Sequence, residues 1–403
     1  MNKKWLIVFL LIIALIIFWM LGGLDSLLGR TVFAPDYKPE PAEEVEEEKQ
    51  VEEPEVVEEP AEEVIKYSAS ELSYETEVVG DDLEIPWEIV PLPDGRILVT
   101  ERPGRVVILG KGEIFRVNDV EHTGEAGLLG AVLSPGFEED NYIYLYYTYR
   151  SGSGLFNRVS RFVLEEDTLK DEVYILDRIP GARFHNGGRI KFGPDGMLYV
   201  TTGDAQETSL SQRLDSLAGK ILRMNPDGSI PEDNPFEGSL VYAYGLRNPQ
   251  GLSWHQITGE LYASDHGPNS QDEVNHILPG KNFGWPIVTC TASDERFEDP
   301  LVCYSEYTMA PSGVAFLPME ELLESPLYVA GLRGNMLMRL DLDEEGKLLG
   351  REELFTDLGR IRTVVYHEGS LYIATNNRDG RGVPKDDDDV IMKITPIDSK
   401  GEL

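Results

Sequence analysis

A histidine followed by two glycines is the first feature of this sequence that could carry chemistry. His185 precedes the Gly-Gly pair, and Asp204 follows the next apolar stretch of the chain. A neutral imidazole titrates near neutrality and can act as a general base, and a nearby carboxylate can orient it. Glycines also let a ligand approach the backbone closely. A histidine and an aspartate that only cap turns would give the same pattern, so both interpretations stay open at this point.

A second polar group surrounds a proline between two apolar runs. It consists of Arg247, Asn248 and Gln250. The guanidinium of an arginine presents a planar fork that matches carboxylates. This group is therefore a candidate for ligand binding, and the alternative is an arginine that forms a salt bridge between structural elements.

Three further arginines lie near the end of the chain. Arg360 and Arg362 are spaced i, i+2, which places both on one face of an extended strand. Like charges side by side are unfavourable unless an anion lies between them or solvent screens them. If Arg247 and Arg333 converge with this pair, the four arginines would form a pocket for a small polyanionic ligand. The alternative is a set of separate surface arginines.

The segment from residue 264 to 275 is rich in carboxylates and in Gly-Pro turns, and a second Gly- and Pro-containing stretch follows at 280–286. Hard cations such as Ca²⁺ are bound by carboxylates and by backbone carbonyls. The segment lacks the EF-hand spacing, so its composition favours a calcium site without assigning the ligands.

A repeated pattern indicates which elements must position these groups. In six places a turn residue or pair leads into a short apolar strand, which is typical of β-hairpins. Six such units with long loops between them predict an all-β chain folded as a six-bladed β-propeller, in which loops of every blade converge on one end of the channel. A pair of β-sandwiches would also supply short strands but would not require the repeated phrase. The six segments begin at Asp94, Asp140, Asp195, Thr258, Ser325 and Glu368.

The charge balance limits the kinds of partner. The 403 residues include 72 acidic and 36 basic side chains, for a net charge of −36. Such a surface repels phosphate backbones, which argues against nucleic-acid binding and leaves cations and neutral polar ligands as partners. The two cysteines, Cys290 and Cys303, flank a short polar loop, and we expect a disulfide between them if the domain lies outside the cytoplasm.

The N-terminal part predicts membrane attachment. Lys3 and Lys4 precede an uncharged apolar run that is long enough to cross a hydrocarbon core of about 30 Å. The lysines keep the N-terminus inside, so the protein would be a single-pass protein of the cell membrane with its catalytic domain extracytoplasmic; a cleaved signal peptide is the alternative. We expect an anchor or signal segment over 1–24, an acidic, Pro- and Glu-rich, disordered linker over 25–70, and the propeller over 71–403.

Seven phrases in order give the chain a family resemblance. From about Glu84 to Ile397 the sequence resembles the soluble aldose sugar dehydrogenases that use pyrroloquinoline quinone (PQQ), within the glucose/sorbosone dehydrogenase family. The family fold is a six-bladed propeller, which agrees with the repeat. The phrases are Ile85-Pro-Trp-Glu-Ile, Gly127-Leu-Leu-Gly, His185-Asn-Gly-Gly-Arg, Thr202-Gly-Asp, Leu246-Arg-Asn-Pro-Gln-Gly, His266-Gly-Pro-Asn-Ser and Asn282-Phe-Gly-Trp-Pro.

The resemblance implies a role for each candidate residue. His185 matches the general base that removes the anomeric hydroxyl proton while hydride passes to the quinone, and Asp204 matches the acid that holds it. The residues that match contacts to cofactor or substrate are Arg247, Asn248 and Gln250, and those that match the arginines on the cofactor's carboxylates are Arg360 and Arg362. The carbonyls of Gly267 and Pro268 match ligands of a catalytic Ca²⁺, and Asp272, Glu273 and the Phe283 carbonyl match a second, structural Ca²⁺ site.

Two positions depart from the family pattern. Glu125 stands where the family's glucose enzyme has a glutamine near the substrate, which puts glucose as the preferred sugar in doubt. Arg333 aligns with a lysine on the cofactor and keeps the charge on a longer, planar side chain.

The resemblance therefore implies an oxidoreductase that oxidises an aldose at C1 to a lactone. Its cofactors would be PQQ and Ca²⁺, and its electrons would pass to an external acceptor, either a membrane quinone or a redox protein. One alternative is a Ca²⁺-dependent propeller lactonase or other hydrolase, which would not need arginines around an anionic cofactor. Another is a non-catalytic propeller that binds glycans or proteins.

Overall fold

A computed structural model describes residues 68–290, 294–318 and 322–397. In this part of the chain, strands form six four-stranded antiparallel sheets, so the predicted all-β, six-bladed β-propeller is confirmed. Five blades are simple meanders of four consecutive strands. The sixth combines three late strands with the first strand of the domain, which joins the two ends of the propeller.

The blades are numbered in chain order. Blade 1 is β2 (Pro86–Pro91), β3 (Ile97–Glu101), β4 (Arg105–Ile108) and β5 (Gly112–Arg116); blade 2 is β6 (Leu128–Leu133), β7 (Tyr142–Ser151), β8 (Gly154–Glu165) and β9 (Thr168–Gly181); blade 3 is β10 (Ile190–Phe192), β11 (Leu198–Thr202), β12 (Lys220–Met224) and β13 (Val241–Tyr244). Blade 4 is β14 (Pro249–Trp254), β15 (Leu261–Asp265), β16 (Asp272–Ile277) and β17 (Val302–Tyr304); blade 5 is β18 (Pro311–Phe316), β19 (Ser325–Gly331), β20 (Met336–Leu342) and β21 (Leu348–Leu354); blade 6 is β22 (Ile361–His367), β23 (Ser370–Thr375), β24 (Ile391–Ile397) and β1 (Ser73–Gly80). Within the described ranges, the helical elements are one short helix, α1 (Phe137–Asp140), and two 3₁₀ turns, Ala69–Glu71 and Thr208–Gln212.

The six repeated phrases all mark the same structural position. Each lies at the turn between the first and second strands of a blade or at the start of that second strand. The reason is local, because a tight turn followed by an apolar second strand forms a hairpin without help from distant residues. The repeat count therefore equals the blade count.

Burial decreases from the axis outwards. The first strand of blade 5, β18, is buried along its whole length, whereas most residues of the outermost strands β9 and β21 are at least partly exposed. The first strands of neighbouring blades contact one another around the axis, as β2 does with β6 and β22. The approach is close enough that a Cβ at Gly251 would lie 2.3 Å from the carbonyl oxygen of Ser312.

The predicted anchor over 1–24 and nearly all of the predicted linker over 25–70 lie outside the described residues. The first described residues already contact blade 5, since the Ser68 hydroxyl and the Ala69 N–H both donate to the carboxylate of Glu324, at 3.0 and 2.8 Å. In the described ranges, no helix is long and apolar enough to cross a membrane.

Candidate active site

The candidate residues meet at one end of the propeller axis. Most of them lie on or at the start of first strands or at the ends of second strands, and both positions belong to the same end of a four-stranded antiparallel blade. His185 and Arg247 lead into β10 and β14, whereas Asp204 follows β11 and Asp265 ends β15. The fold thus collects residues from separate blades, as expected for a propeller.

His185 and Asp204 form the centre of the site. The His185 Nδ1 lies 2.8 Å from the Asp204 Oδ1. The Asp204 side chain is fully buried, and it also accepts hydrogen bonds from the Gln206 N–H at 2.8 Å and the Trp285 indole N–H at 2.9 Å. An ionised carboxylate only accepts, so Nδ1 carries the proton and Nε2 keeps a free lone pair. The predicted pair is thus in contact, and the Nε2 of His185 can still accept a hydrogen bond.

The close approach of these two segments depends on a glycine. A Cβ at Gly203 would lie 2.0 Å from the carbonyl oxygen of His185, closer than any side chain permits. His185 itself adopts a left-handed backbone conformation with φ of 61°. The Thr-Gly-Asp phrase therefore positions Asp204 against the imidazole.

Glu125 connects three parts of the site. Its Oε2 accepts from the His185 N–H at 3.2 Å and from the Asn248 Nδ2 at 3.3 Å, and its Oε1 accepts from the Arg381 Nη1 at 3.0 Å. Burial opposes its ionisation, yet its pKa is lowered to about 2 by His266, by the Arg381 guanidinium and by the His185 N–H. Burial lowers the pKa of His266 to about 3, so that ring is neutral near pH 7 and Arg381 is the cation that keeps Glu125 ionised.

Asp265 holds the loop that carries Arg247 and Asn248 in place. It was not among the individual site residues predicted from the sequence. Its carboxylate accepts from the backbone N–H groups of Arg247 and Asn248, at 2.9 and 2.6 Å. Burial, with the nearby charge of Glu273, raises the pKa of Asp265 to about 8. Arg247 in turn donates to the His266 carbonyl at 3.0 Å, and its guanidinium lies 5.3 Å from the Trp285 ring centre. The sequence did contain a signal for Asp265, because this residue directly precedes the His266-Gly-Pro motif.

The two predicted cofactor arginines differ in their partners. Arg360 forms an ion pair with the buried Asp379 at 2.8 Å and also donates to a backbone carbonyl. Arg362 donates to the Gln250 Oε1 at 2.8 Å and to the Asn376 Oδ1 at 3.1 Å. Its pKa is lowered by burial and by the charge of Arg102. A buried guanidinium without an acidic partner is costly, and an anion bound beside it would offset that cost.

Not every predicted arginine joins this set. Arg333 is exposed, and its side chain makes none of the hydrogen bonds that hold Arg360 and Arg362. Arg102, which sequence reasoning missed, is 3% exposed and donates to the Gly124 carbonyl at 2.7 Å. Burial lowers its pKa, and the charges of Arg381 and Arg360 act in the same direction.

Unsatisfied buried nitrogens test whether an anionic cofactor fits here. Buried polar atoms are normally hydrogen-bonded, so each exception needs a reason. Several buried nitrogens of the site have no partner within the described residues, which suits a ligand with several acceptor groups. They are the Nε atoms of Arg102, Arg247, Arg360 and Arg362 and the Nε2 of His266.

The predicted calcium ligands fit a cation less completely. Asp272 accepts from the backbone N–H groups of Gly267 and Ala310, and Glu273 accepts from the N–H of Cys290. Burial raises the pKa of both carboxyls, a cost that a cation would relieve. Across the described parts of the chain, however, no three His, Cys, Asp or Glu side chains are grouped to hold a metal ion. A calcium site would therefore depend largely on carbonyls.

The remaining predicted calcium ligands are backbone carbonyls. The carbonyl of Pro268 already accepts from the Gln271 N–H at 3.2 Å, and Phe283 is buried with its N–H on the Tyr244 carbonyl. Close by, Cys290 and Cys303 form a disulfide with Cα atoms 5.5 Å apart, which confirms that prediction. The bridge ties the loop after the Gly-Trp-Pro phrase to β17.

Fold and site together define an enzyme on a six-bladed propeller, with a carboxylate-oriented imidazole beside a basic pocket at the axial end. The chain belongs to the glucose/sorbosone dehydrogenase family, whose sequence model matches residues 83–385. The family resemblance read from the seven phrases is thereby confirmed.

Individual relatives agree with this assignment. The aldose sugar dehydrogenase YliI of Escherichia coli is 30% identical over 81% of this chain and 94% of its own length. The quinoprotein glucose dehydrogenase B of Acinetobacter calcoaceticus is 33% identical over 59% of this chain and 56% of its own. Among solved structures, the PQQ-bound aldose sugar dehydrogenase of Streptomyces coelicolor is 37% identical, with a TM-score of 0.76 over 82% of this chain and all of that one.

Proposed function

We propose that this protein oxidises aldose sugars at C1 to lactones, with PQQ as its cofactor. The observation that carries the proposal is the juxtaposition of an Asp204-oriented imidazole with buried guanidinium nitrogens that lack partners. The family membership and the PQQ-bound relative from Streptomyces coelicolor support it.

The chain's own residues would handle the proton. The His185 Nε2 accepts the proton of the C1 hydroxyl, and Asp204 stabilises the imidazolium that results. Trp285 and Gln206 fix the carboxylate, so the ring is held in its productive tautomer before the substrate arrives. When bound, PQQ supplies the acceptor for the two electrons that leave C1.

Binding of the cofactor falls to the basic pocket. Arg362 and Arg360 would hold its carboxylates through their unused N–H groups. Gln250 accepts a hydrogen bond from Arg362, and Asn248 holds the segment that carries His185 by donating to Glu125 and accepting from the Gly187 N–H. Arg247 lies between the Trp285 ring and the His266 carbonyl, where it can contact both cofactor and substrate.

We also propose two Ca²⁺ sites, as the family resemblance implies. The carbonyls of Gly267 and Pro268 would bind the ion that polarises the quinone. The second ion would use the carboxylates of Asp272 and Glu273 and the carbonyl of Phe283. Both carboxyls are buried, so a bound cation would offset the cost of ionising them.

The competing functions account for less of the structure. A lactonase or another hydrolase would use a histidine and a metal but not a group of buried arginines with unfilled donors. A glycan- or protein-binding propeller would not need a fully buried carboxylate holding an imidazole. The dehydrogenase accounts for both features.

Location and electron acceptor complete the proposal. The predicted N-terminal helix would anchor the chain in the cell membrane with the propeller outside the cytoplasm, and the disulfide suits that compartment. Electrons would then pass to an external acceptor, a membrane quinone or a redox protein.

A reconstitution experiment tests the function. Purified apoprotein is titrated with PQQ, with and without Ca²⁺, and then assayed for dye reduction with a panel of aldoses and for lactone hydrolysis. We expect saturable PQQ binding and sugar-dependent dye reduction that requires both additions. Lactone hydrolysis without PQQ, or no PQQ binding at all, would contradict the proposal.

A further inference from the structure

The mouth of the site carries arginines beyond those in the buried pocket. Arg381 reaches from the segment after β23 to the carboxylate of Glu125, 256 positions earlier in the chain. Arg183 lies two residues before His185 and is exposed. Both guanidinium groups lie 5.4 Å from the ring centre of Phe184, the residue that directly precedes the imidazole. Two cations therefore lie beside the residue that directly precedes the imidazole.

Arg381 retains donors for a ligand. Its side chain is 42% exposed, and one of its terminal nitrogens bonds to Glu125 while its backbone N–H bonds to Asp379. A guanidinium has five N–H donors, so several remain free for an incoming acceptor. The hydrogen bond to Glu125 orients the Arg381 guanidinium and leaves its other N–H groups free for a ligand. A carboxylate on the substrate would find a bidentate partner there.

The local charge balance points in the same direction. The whole chain carries a net charge of −36, yet the arginines around the His185–Asp204 pair outnumber the carboxylates, apart from Asp272 and Glu273 of the proposed calcium site. The arginines are Arg102, Arg183, Arg247, Arg360, Arg362 and Arg381, six in all, and the carboxylates are the four of Glu125, Asp204, Asp265 and Asp379.

An acidic surface repels anionic substrates at long range, so a basic mouth in such a protein has to serve a bound group. The buried arginines are the ones suited to the cofactor. Arg183 and Arg381 lie further out, at the entrance, and are available to the substrate.

Resting on the proposed function, we propose that Arg381, assisted by Arg183, selects aldoses that carry a carboxylate, namely hexuronic acids such as glucuronate and galacturonate. In the pyranose form, the carboxylate of a uronic acid lies across the ring oxygen from C1. A sugar whose C1 meets His185 therefore places its carboxylate within one ring of the imidazole, and the two guanidinium groups lie 5.4 Å from the ring centre of Phe184, the neighbour of His185 in the chain.

The chemistry at C1 is the same as for a neutral aldose. The hydroxyl proton passes to the His185 Nε2, and the C1 hydrogen leaves with its electron pair to the quinone of the proposed function. The C1–O bond becomes a carbonyl, and the product is a lactone that retains the carboxylate. The dye in the assay reoxidises the cofactor, so electrons balance.

The test compares matched sugars on the PQQ- and Ca²⁺-loaded full-length protein. We expect kcat/KM for galacturonate and glucuronate to exceed that for galactose and glucose by about tenfold or more, the scale of one charge-assisted hydrogen bond. In Arg381→Gln the ratio of uronate to neutral-sugar kcat/KM should fall about tenfold, and in Arg183→Gln by a smaller factor. Raising the salt concentration should reduce the ratio, because exposed charges are screened.

A control variant removes an arginine elsewhere. Arg116→Gln lies on the outermost strand of blade 1 and should leave both the ratio and the activity unchanged. Oxidation of neutral aldoses with no preference for uronates would overturn this inference and leave the dehydrogenase function standing. An equal loss for both sugar classes in Arg381→Gln would also overturn it, since Arg381 would then only position Glu125. Failure to oxidise any aldose would instead refute the proposed function.

Discussion

Replacing Asp204 by asparagine separates orientation of the imidazole from its electrostatic stabilisation. The substitution keeps the size of the side chain and one acceptor oxygen. That oxygen satisfies two donors if it takes the place of Oδ1, where His185 and the Gln206 N–H both bond. The amide NH₂ would then face the Trp285 indole N–H, and that hydrogen bond would be lost. The tautomer of His185 should thus survive while the negative charge beside it disappears.

The expected loss of activity follows from that geometry. A hydrogen bond to a charged group contributes about 1.5–3 kcal/mol, and this is the contribution removed from the imidazolium. At about 1.4 kcal/mol per factor of ten, kcat should fall by roughly 10- to 150-fold. His185→Ala removes the base itself and should lower kcat by about two to four orders of magnitude. PQQ binding should survive in both variants.

The assay is dye reduction at saturating sugar by the reconstituted protein, with thermal unfolding and a PQQ titration as checks on folding. Asp177→Asn, which alters a carboxylate paired with Arg158 on blade 2, serves as the matched control. The double variant His185→Ala/Asp204→Asn should be no slower than His185→Ala alone. Fully additive losses, or an Asp204→Asn enzyme within threefold of the parent, would refute the assignment of Asp204 as the residue that acts through His185.

Three further outcomes are expected. Replacing both Arg360 and Arg362 by methionine should weaken PQQ binding at least tenfold while the sugar KM changes far less; an unchanged PQQ titration curve would contradict their role. Replacing Cys290 and Cys303 by serine should lower the free energy of unfolding by about 3 kcal/mol in the chain-entropy model, measured by urea denaturation, and an unchanged midpoint would count against it. A chain that begins at Tyr67 should be monodisperse and active with soluble dyes but deliver fewer electrons to membranes. Equal delivery with and without the N-terminal segment would contradict the predicted anchor.

The sequence predicted the propeller because its signal is local. A turn followed by an apolar strand repeats once per blade, and the six hairpins require no knowledge of long-range contacts. The same is true of the His185–Asp204 pair, which lies at the ends of two strands within one blade. Elements whose partners come from other blades were harder to assign.

The site residues that were not predicted show how far the sequence alone can define this site. Glu125 was a candidate but its partner Arg381 was not, because the two meet only where blades 2 and 6 place their loops at the same end of the axis. Arg102 gave no motif, and its place in the basic group depends on burial. For Arg360 the sequence indicated an anion partner, and the structure adds the ion pair with Asp379 from the next loop of the same blade. Which arginines are paired and which are free is a property of the closed ring.

A buried ion pair on the axis explains why the site can be rigid. Arg189 pairs with Glu88 from blade 1 and also donates to the Gln250 carbonyl at 2.8 Å and to the Thr363 hydroxyl at 3.1 Å. A buried ion pair seldom adds net stability, so its value here lies in joining four blades through one side chain. Gln250 continues the connection, because its side chain accepts from Arg362 in the anion pocket. The contacts that close the ring therefore also fix the donors of the site, so that the basic pocket is organised before any cofactor binds.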